Sequence, residues 1–539
     1  MAGVESSTVA PETGAKPILW SVAGTDSGGG AGLAADQRAA ESLGVHLCPV
    51  VAAVTAQNSR AVVRVSPVPS DLLDAQLAAL AADLPPAAIK TGLLGSADNV
   101  AVLARWVDRL RERAPVPLVV DPVLGASSGA AFADEATLRA YRELLLPRAT
   151  LITPNRREAL RLAGVGVADV PELAARLKAM GARAVAITGG DDAPHPSGLV
   201  RDWIDSPEAS GWLALPRVAT RHTHGTGCTF ASSAASALAL GFVTADALVL
   251  AKMATRWALC HGYPAGQGAG PVAARAGLAA DPAGMPVLSW ADEFSENFVF
   301  DSDLGRSDAD HRPIDLGIYA IVDSPERVRQ VVAAGVHTVQ LRIKTPPTPD
   351  AAWHAALRVS VTQALAACRA GGATLVVNDH WRLAAELGAP AVHLGQEDLL
   401  ALGPAGRAEL AASGLQLGIS SHSLWELCRA RALAPWYLAC GPVWPTLTKD
   451  MPWRPQGLDN LAWWVHMAAR PVVAIGGILA PDQLQEAARS GAAGVCVVRG
   501  LGEGPARTVP TWQTALGAGR AAPRLPVPAL PHPTLERGA

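Results

Sequence analysis

The feature that most constrains this chain is a strict rhythm that begins near Asp315. Eight short apolar runs follow one another: GIYAIV, HTVQLRI, ATLVVN, AVHL, LQLGIS, WYLAC, PVVAIG and GVCVV. Helical segments separate nearly all of them. Eight strand–helix units in about 200 residues match a (β/α)8 barrel near its lower size limit. The polar residues of this half cluster at the ends of the runs: QLRIK at Gln340–Lys344, NDH at Asn378–His380, HLGQED at His393–Asp398 and AIGG at Ala474–Gly477. Barrel active sites are assembled from such strand ends. Packing alone does not call for charged residues there.

The N-terminal half alternates differently. ILWSVAG, CPVVAAV, PLVVD, TLITPN and AVAITGG read as strands ending in turn residues, with helical stretches at Asp71–Leu80 and Ala97–Arg113 between them. That order predicts an α/β sandwich with a mainly parallel sheet. The expected division is residues 17–280 for this domain, 281–313 for an acidic linker, 314–505 for the barrel and 506–539 for a loose C-terminal tail.

A formal net charge of −3 supplies no field to recruit nucleic acid, so anions must be bound locally. The seven cysteines are widely spaced and form no CxxC pair, and the first residues carry no apolar signal region. The apolar runs are too short to span a bilayer. A cytoplasmic location without membrane attachment is the expectation.

Phosphate chemistry is written into both halves. In HGTGCT, Gly225, Thr226 and Gly227 can present consecutive backbone N–H groups, and the helix opening at Cys228 adds its positive end. By itself such a turn could equally be a tight bend before a buried helix. Its context adds TDSGGGAG at 25–32, then Asp36, then strand-end loops that place Asp121, Asn155 and Glu158 where they suit a hydrated Mg²⁺. In the barrel half, Gln340, Arg342 and Lys344 alternate and should share one face of a strand. Asp379 and Asp398 suit Mg²⁺ held jointly with substrate phosphates. Thr446, Thr448 and Lys449 occupy a loop after the sixth run. Gly476 and Gly477 follow the seventh, where barrels bind phosphate through backbone N–H groups.

These residues carry two resemblances. Residues 18–275, through AGTDSGGGAGLAAD, TAQNS, DPVLGASSG, ITPN with Glu158, HGTGCT and GQGAGPV, resemble the hydroxymethylpyrimidine (phosphomethylpyrimidine) kinases of the ribokinase superfamily. That resemblance implies ATP as co-substrate. Asp36 and Gln57 would hydrogen-bond the aminopyrimidine, Gly24 and Leu93 would line its pocket, and the Gly225–Cys228 loop would stabilise the transferring phosphoryl group. Cys228 stands where sugar kinases of the superfamily carry an aspartate base. The family often shows KGGH where this chain has TGGD, so Thr188 replaces a lysine near the nucleotide phosphates. Related kinases are commonly dimers, which makes a homodimer through this domain an expectation.

Residues 315–502, through QLRIK, VVNDH, VHLGQEDL, LGISSH, PTLTK and AIGGI, resemble thiamine phosphate synthase. The implied reaction joins a pyrimidine diphosphate to thiazole phosphate and releases pyrophosphate. Arg342, Lys344, Asn378 and Mg²⁺ on Asp379 and Asp398 would hold the diphosphate, and Ser420 and Lys449 would follow it as it leaves. Thr446, Thr448, Gly476 and Gly477 would position the thiazole phosphate, with Val498 and Arg499 beside it. Arg499 stands where the family often has serine. His380, His393 and His422 read as structural support. Together the resemblances imply a bifunctional thiamine-biosynthesis enzyme. Two alternatives are a synthase with a weak or regulatory kinase-like domain, and a kinase of pyridoxal-like breadth.

Overall fold

The computed structural model describes residues 14–125, 132–193, 195–290, 314–446 and 452–536. The N-terminal half holds one ten-stranded sheet. Its strands are β1 (Ile18–Gly24), β2 (His46–Gln57), β3 (Val62–Pro67), β4 (Ala88–Thr91), β5 (Leu118–Val120), β6 (Leu151–Ile152), β7 (Val185–Ile187), β8 (Leu199–Asp205), β9 (Ser210–Pro216) and β10 (Val287–Leu288). The spatial order is β10-β9-β8-β7-β6-β5-β4-β1-β2-β3. From β2 to β7 neighbours pair in parallel, whereas β3 and β8–β10 are antiparallel additions at the two edges. Helices therefore cover the parallel centre, and its strand ends point one set of loops toward a common cleft.

Two helices decide how closely the backbone can approach that cleft. Thr226–Ala239 (TGCTFASSAASALA) is built from small residues and is buried almost all round, the signature of a helix with no solvent face. It packs along the helix Thr244–Cys260. Its left-handed Gly225 (φ 87°) is also a packing requirement, because a Cβ there would lie 2.2 Å from the Gly30 carbonyl oxygen. The helix Arg156–Ala163 starts with a reciprocal cap: Asn155 accepts from the Glu158 N–H and Glu158 accepts from the Asn155 N–H, both at 3.0 Å.

The C-terminal half is a closed parallel barrel of β11 (Gly317–Val322), β12 (Thr338–Leu341), β13 (Thr374–Asn378), β14 (Ala391–Leu394), β15 (Gln416–Ser421), β16 (Tyr437–Cys440), β17 (Val472–Ala474) and β18 (Gly494–Val497). All eight expected runs form strands. Tyr319 and Tyr437 meet edge to face inside the barrel, and Val376, Ala439, Val473 and Cys496 pack with them. Gly418 makes room for this layer, since a Cβ there would sit 2.2 Å from the Tyr437 ring.

Two expectations about the chain's connections need correction. Residues 281–290, expected to begin the linker, are packed: β10 pairs antiparallel with β9, and Leu288 is buried. Residues 291–313 lie outside the described residues. Residues 505–521, most of them assigned to a loose tail, form a helix with buried Val509 and Trp512 that packs on the helix Pro481–Arg489. Beyond it, His532 donates its N–H to Asn460, Thr534 donates to the His422 carbonyl at 2.8 Å, and Leu535 bridges to Trp453. A Pro- and Arg-rich composition suggested fraying. The buried Trp512 and these hydrogen bonds hold the segment instead. No helix among the described residues is long and apolar enough to cross a membrane.

The two halves share an apolar core. The barrel helix Leu424–Arg431 packs against both the helix Thr244–Cys260 and β10. Trp290 Nε1 donates to the Arg429 carbonyl at 2.7 Å, Arg431 donates to the carbonyls of Met285 and Pro286, and His466 bonds the Ala279 carbonyl at 2.9 Å.

Candidate functional sites

A cavity of about 740 Å³ opens over the strand ends of the N-terminal sheet. Gly24, Gln57, Leu93, Asp121, Asn155, Glu158, Thr188 and Gly225 through Cys228 all line it, so the structure brings together the residues singled out from the sequence. The exception is Asp36. It is fully buried behind the wall, where Oδ1 accepts from Lys90 at 2.9 Å and Ser232 at 2.7 Å, and Oδ2 accepts from Ser21 at 2.7 Å. Asp36 fixes Lys90 and does not line this cavity.

Lys90 was not legible as a site residue, yet it is the electrostatic centre of this pocket. It is 0% exposed, and Nζ lies 2.9 Å from Asp36 and 3.6 Å from Asp121. Burial opposes its charge, but Asp36 overrides that, with Cys228 and Asp121 adding, and holds the ammonium protonated. Burial pushes Asp121 up to about 6 against the pull of Lys90. Burial also pushes the Cys228 thiol up to about 12, with Lys90 opposing, so at neutral pH it carries its proton.

A second element tightens the glycine loops. Asp26 accepts from the N–H groups of Gly28, Gly30 and Ala31, and His224 Nε2 lies 3.0 Å from the same carboxylate. Burial works against its charge. The bonds from His224, Gln57 and the backbone prevail and hold Asp26 well below the usual carboxylate range. An ionised carboxylate only accepts, so His224 donates and thereby ties the TDSGGG turn to HGTG. Gly30 is required at this contact, because a Cβ there would sit 2.2 Å from the His224 ring.

At the far end of the cavity Thr188 stands without the lysine common in the resembled family, but Lys252 is there. It reaches in from the helix Thr244–Cys260, lines the same cavity, and pairs with Asp202 at 2.8 Å. Asp202 also accepts the Gly189 N–H at 3.0 Å. A cation in this region therefore comes from a different element, a placement that sequence spacing could not reveal.

Glu158 and Asp121 also bear on metal binding. Burial pushes Glu158 up to about 8, with Asp121 adding. A carboxyl held above its ordinary value stabilises the fold fully below that ordinary value and loses the contribution as pH rises through about 8. The ligand-free protein should therefore lose thermal stability as pH rises from about 4.5 to about 8 in a melting scan, and Glu158→Gln should flatten that dependence. A Glu158→Gln protein that kept the full slope would remove Glu158 as its source.

In the barrel, the strand ends converge as expected with two corrections. β12 stops at Leu341, so Arg342 and Lys344 leave on the following loop and Lys344 is exposed, rather than sharing a strand face with Gln340. Asp398 sits in the first turn of the helix Gln396–Ala401, not at the end of β14. It remains close enough to Asp379 that, after burial, its charge is the main influence raising that carboxyl. Asp379 itself has φ 64°, an uncommon backbone for a residue with a side chain, which aims its carboxylate from the end of β13. Two mutually repelling carboxylates suit a hard divalent cation. Among the described residues no three His, Cys, Asp or Glu form a cage, so oxygens of a phosphate substrate would have to complete the shell.

A buried chain of hydrogen bonds runs from the barrel mouth to its centre. Ser420 Oγ bonds His393 Nε2 at 2.8 Å, His393 Nδ1 bonds the Tyr437 hydroxyl at 2.9 Å, that hydroxyl bonds Tyr319 at 2.6 Å, and Gln340 donates to Tyr319 at 2.9 Å. Burial, with Arg342 and His422 adding, pulls His393 down to about 4, so its ring is neutral and bonds Ser420 through one nitrogen and Tyr437 through the other. Gly476 (φ 92°) and Gly477 (φ 73°) admit no side chain: a Cβ on Gly477 would lie 2.6 Å from the Trp444 carbonyl oxygen. Val498 and Arg499 lie exposed on the rim past β18. Thr446 begins the loop after Trp444, and Thr448 and Lys449 lie outside the described residues.

Glycine-rich turns lining a cavity over a parallel sheet, and a barrel mouth of basic, acidic and glycine loops, together fit a transferase with two sites. The family model for phosphomethylpyrimidine kinase matches residues 26–273, and that for thiamine monophosphate synthase matches 318–501. The chain is 33% identical to the chloroplastic thiamine biosynthetic bifunctional enzyme TH1 of Arabidopsis thaliana over 86% of this chain and 85% of that one. Its first half is 41% identical to the hydroxymethylpyrimidine/phosphomethylpyrimidine kinase of Synechococcus elongatus, covering 48% of this chain and 97% of the relative. Its second half is 48% identical to the thiamine-phosphate synthase of Rhizobium etli, covering 30% of this chain and 76% of the relative. The chain belongs to the bifunctional thiamine biosynthetic enzymes, in which a phosphomethylpyrimidine kinase is fused to a thiamine monophosphate synthase.

Proposed function

We propose that the sandwich uses ATP to phosphorylate 4-amino-5-hydroxymethyl-2-methylpyrimidine and then its monophosphate, and that the barrel couples the resulting diphosphate to thiazole phosphate. The observation that carries this reading is that each half gathers its candidate phosphate-handling residues at the strand ends of its own sheet. In the sandwich, the pyrimidine hydroxyl oxygen, and in the second round a phosphate oxygen of the monophosphate, forms a bond to the terminal phosphorus of ATP as the bond to ADP breaks; ADP leaves, and the hydroxyl proton passes to a phosphate oxygen or water. The N–H groups of Gly225 through Cys228 meet the charge on the transferring group, and Lys90 fixes Asp121 beside it. Gln57, Gly24 and Leu93 would enclose the pyrimidine, while Asp36 acts indirectly through Lys90. Asn155, Thr188 and Lys252 would lie toward the nucleotide. Asp121 and Glu158 would hold Mg²⁺, which neutralises phosphate charge when bound.

In the barrel, the C–O bond to the diphosphate ionises, and the thiazole nitrogen supplies the electron pair that forms the new C–N bond. Pyrophosphate leaves. No protein base is required, because the thiazole nitrogen itself carries the electron pair. Arg342, Lys344 and Asn378 would hold the diphosphate together with Mg²⁺ on Asp379 and Asp398, and Ser420 and Lys449 would follow the departing charge. Thr446, Thr448 and the N–H groups of Gly476 and Gly477 would seat the thiazole phosphate beside Val498 and Arg499. A cytoplasmic, homodimeric enzyme without nucleic-acid or membrane partners completes the proposal.

The two sites should fail separately. Asp398→Ala is expected to lower coupling by at least about 10²-fold and to leave pyrimidine phosphorylation within twofold, both followed by chromatography of the products. A parallel loss of both activities in a folded variant would contradict two independent sites.

A further inference from the structure

The contact between the halves bears on the synthase site. His422 directly follows β15, which carries Ser420. Its position is fixed from three sides. Glu426 accepts both the His422 backbone N–H at 2.6 Å and its ring Nδ1 at 2.9 Å. The His422 carbonyl accepts from Gln456 at 2.6 Å and Thr534 at 2.8 Å. The ring stacks on Trp453 at 5.3 Å, two residues past the segment bearing Thr448 and Lys449. His422 thus joins the Ser420 strand end, Trp453 and the C-terminal segment.

Glu426 lies in the first turn of the helix Leu424–Arg431, and the kinase half holds the start of that helix. Asp246, in the first turn of the helix Thr244–Cys260, accepts the Trp425 N–H at 2.9 Å across the boundary and is 2% exposed. A carboxyl at a helix start satisfies an N–H that water cannot reach here and fixes the helix along its axis. The neighbouring Glu208 accepts the Ala245 N–H at 3.2 Å and anchors Asp246's own helix in turn. We propose that Asp246 of the kinase half is a positioning residue for the synthase: by capping the barrel helix it sets Glu426, and through Glu426 it sets His422 and the Ser420 strand end.

This inference rests on reading the barrel as the thiamine phosphate synthase. It makes the kinase half a structural part of the second catalyst, so the fusion serves more than co-expression. Burial, with Glu208 and Glu426 adding, pushes Asp246 up to about 7, and a neutral amide is therefore a close mimic of it.

The test supplies pyrimidine diphosphate and thiazole phosphate directly to the full chain, so that coupling needs no kinase turnover. Asp246→Ala should lower kcat for coupling about tenfold and raise KM for the diphosphate severalfold. Asp246→Asn, whose amide oxygen can still accept the Trp425 N–H, should restore both to within twofold. Pyrimidine phosphorylation, which certifies folding, should stay within twofold in both variants. Should the alanine variant not fold, Asp246→Thr, whose hydroxyl is too short to reach Trp425, should show the same split. Coupling by Asp246→Ala with wild-type kcat and KM would overturn the inference while leaving the synthase reading intact. A wild-type chain that forms no thiamine phosphate from the supplied substrates would overturn both.

Discussion

Lys90→Met should abolish pyrimidine phosphorylation, lowering it by at least about 10²-fold, while coupling of supplied pyrimidine diphosphate persists in the protein that folds. The reason is charge balance inside a dry pocket. Lys90 is 0% exposed between Asp36 and Asp121, and it is the cation both carboxylates face. Without it, two buried carboxyls repel and one must take up a proton. Removing one member of a buried ion pair costs about 3–5 kcal/mol because the other is left uncompensated. The variant should therefore melt several degrees lower as well. Adding Asp36→Asn should recover much of that stability and none of the activity, since the amide no longer needs a counter-charge but Asp121 still lacks its partner. Lys90→Arg should not rescue, because a guanidinium fork does not fit a site built around one ammonium. Wild-type phosphorylation rates in Lys90→Met, measured by nucleotide release and by the pyrimidine products, would contradict this account of the pocket.

The second large effect is expected at Gly477. With φ 73° and space for a Cβ only 2.6 Å from Trp444, alanine there meets both backbone strain and a backbone collision. The left-handed conformation alone costs an L-residue about 1–2 kcal/mol. The collision shifts the loop that presents the phosphate-binding N–H groups, and a displacement of about 1 Å at such a site can cost about 10²-fold. Gly477→Ala should thus lower coupling at least that much, mainly through a raised KM for thiazole phosphate, and should leave phosphorylation unchanged. An unaltered KM for thiazole phosphate would remove Gly477 from the phosphate seat.

The strands of the barrel were legible because they are buried, so apolar runs and polar ends alternate along the chain. The sandwich was less so. β4 has four residues, one of them Lys90, and a lysine in so short a run reads as a loop until Asp36 and Asp121 are seen around it. The β8–β9 hairpin, with its Arg201, Asp202 and Asp205, carries too many charges to announce itself as sheet. Its Asp202 proves to be the partner of Lys252, 50 residues away. The role given to Asp36 through family likeness changed for the same reason: its partners Ser21, Lys90 and Ser232 come from three elements, and only the fold brings them together. The segment 281–290 and the C-terminal segment were misjudged because Pro, Gly and Arg suggest mobility when nothing is known of what they rest on. Asp246 gave no local signal at all, since its acceptor role exists only at the boundary between the halves.

The most direct test of two consecutive phosphate reactions on one chain is a single incubation with ATP, Mg²⁺, hydroxymethylpyrimidine and thiazole phosphate, followed over time by phosphorus NMR and chromatography. The expected course is pyrimidine monophosphate, then diphosphate, then thiamine phosphate with one pyrophosphate released per coupling. If no phosphorylated pyrimidine forms while supplied diphosphate is still converted to thiamine phosphate, the sandwich is not the kinase and the central claim fails.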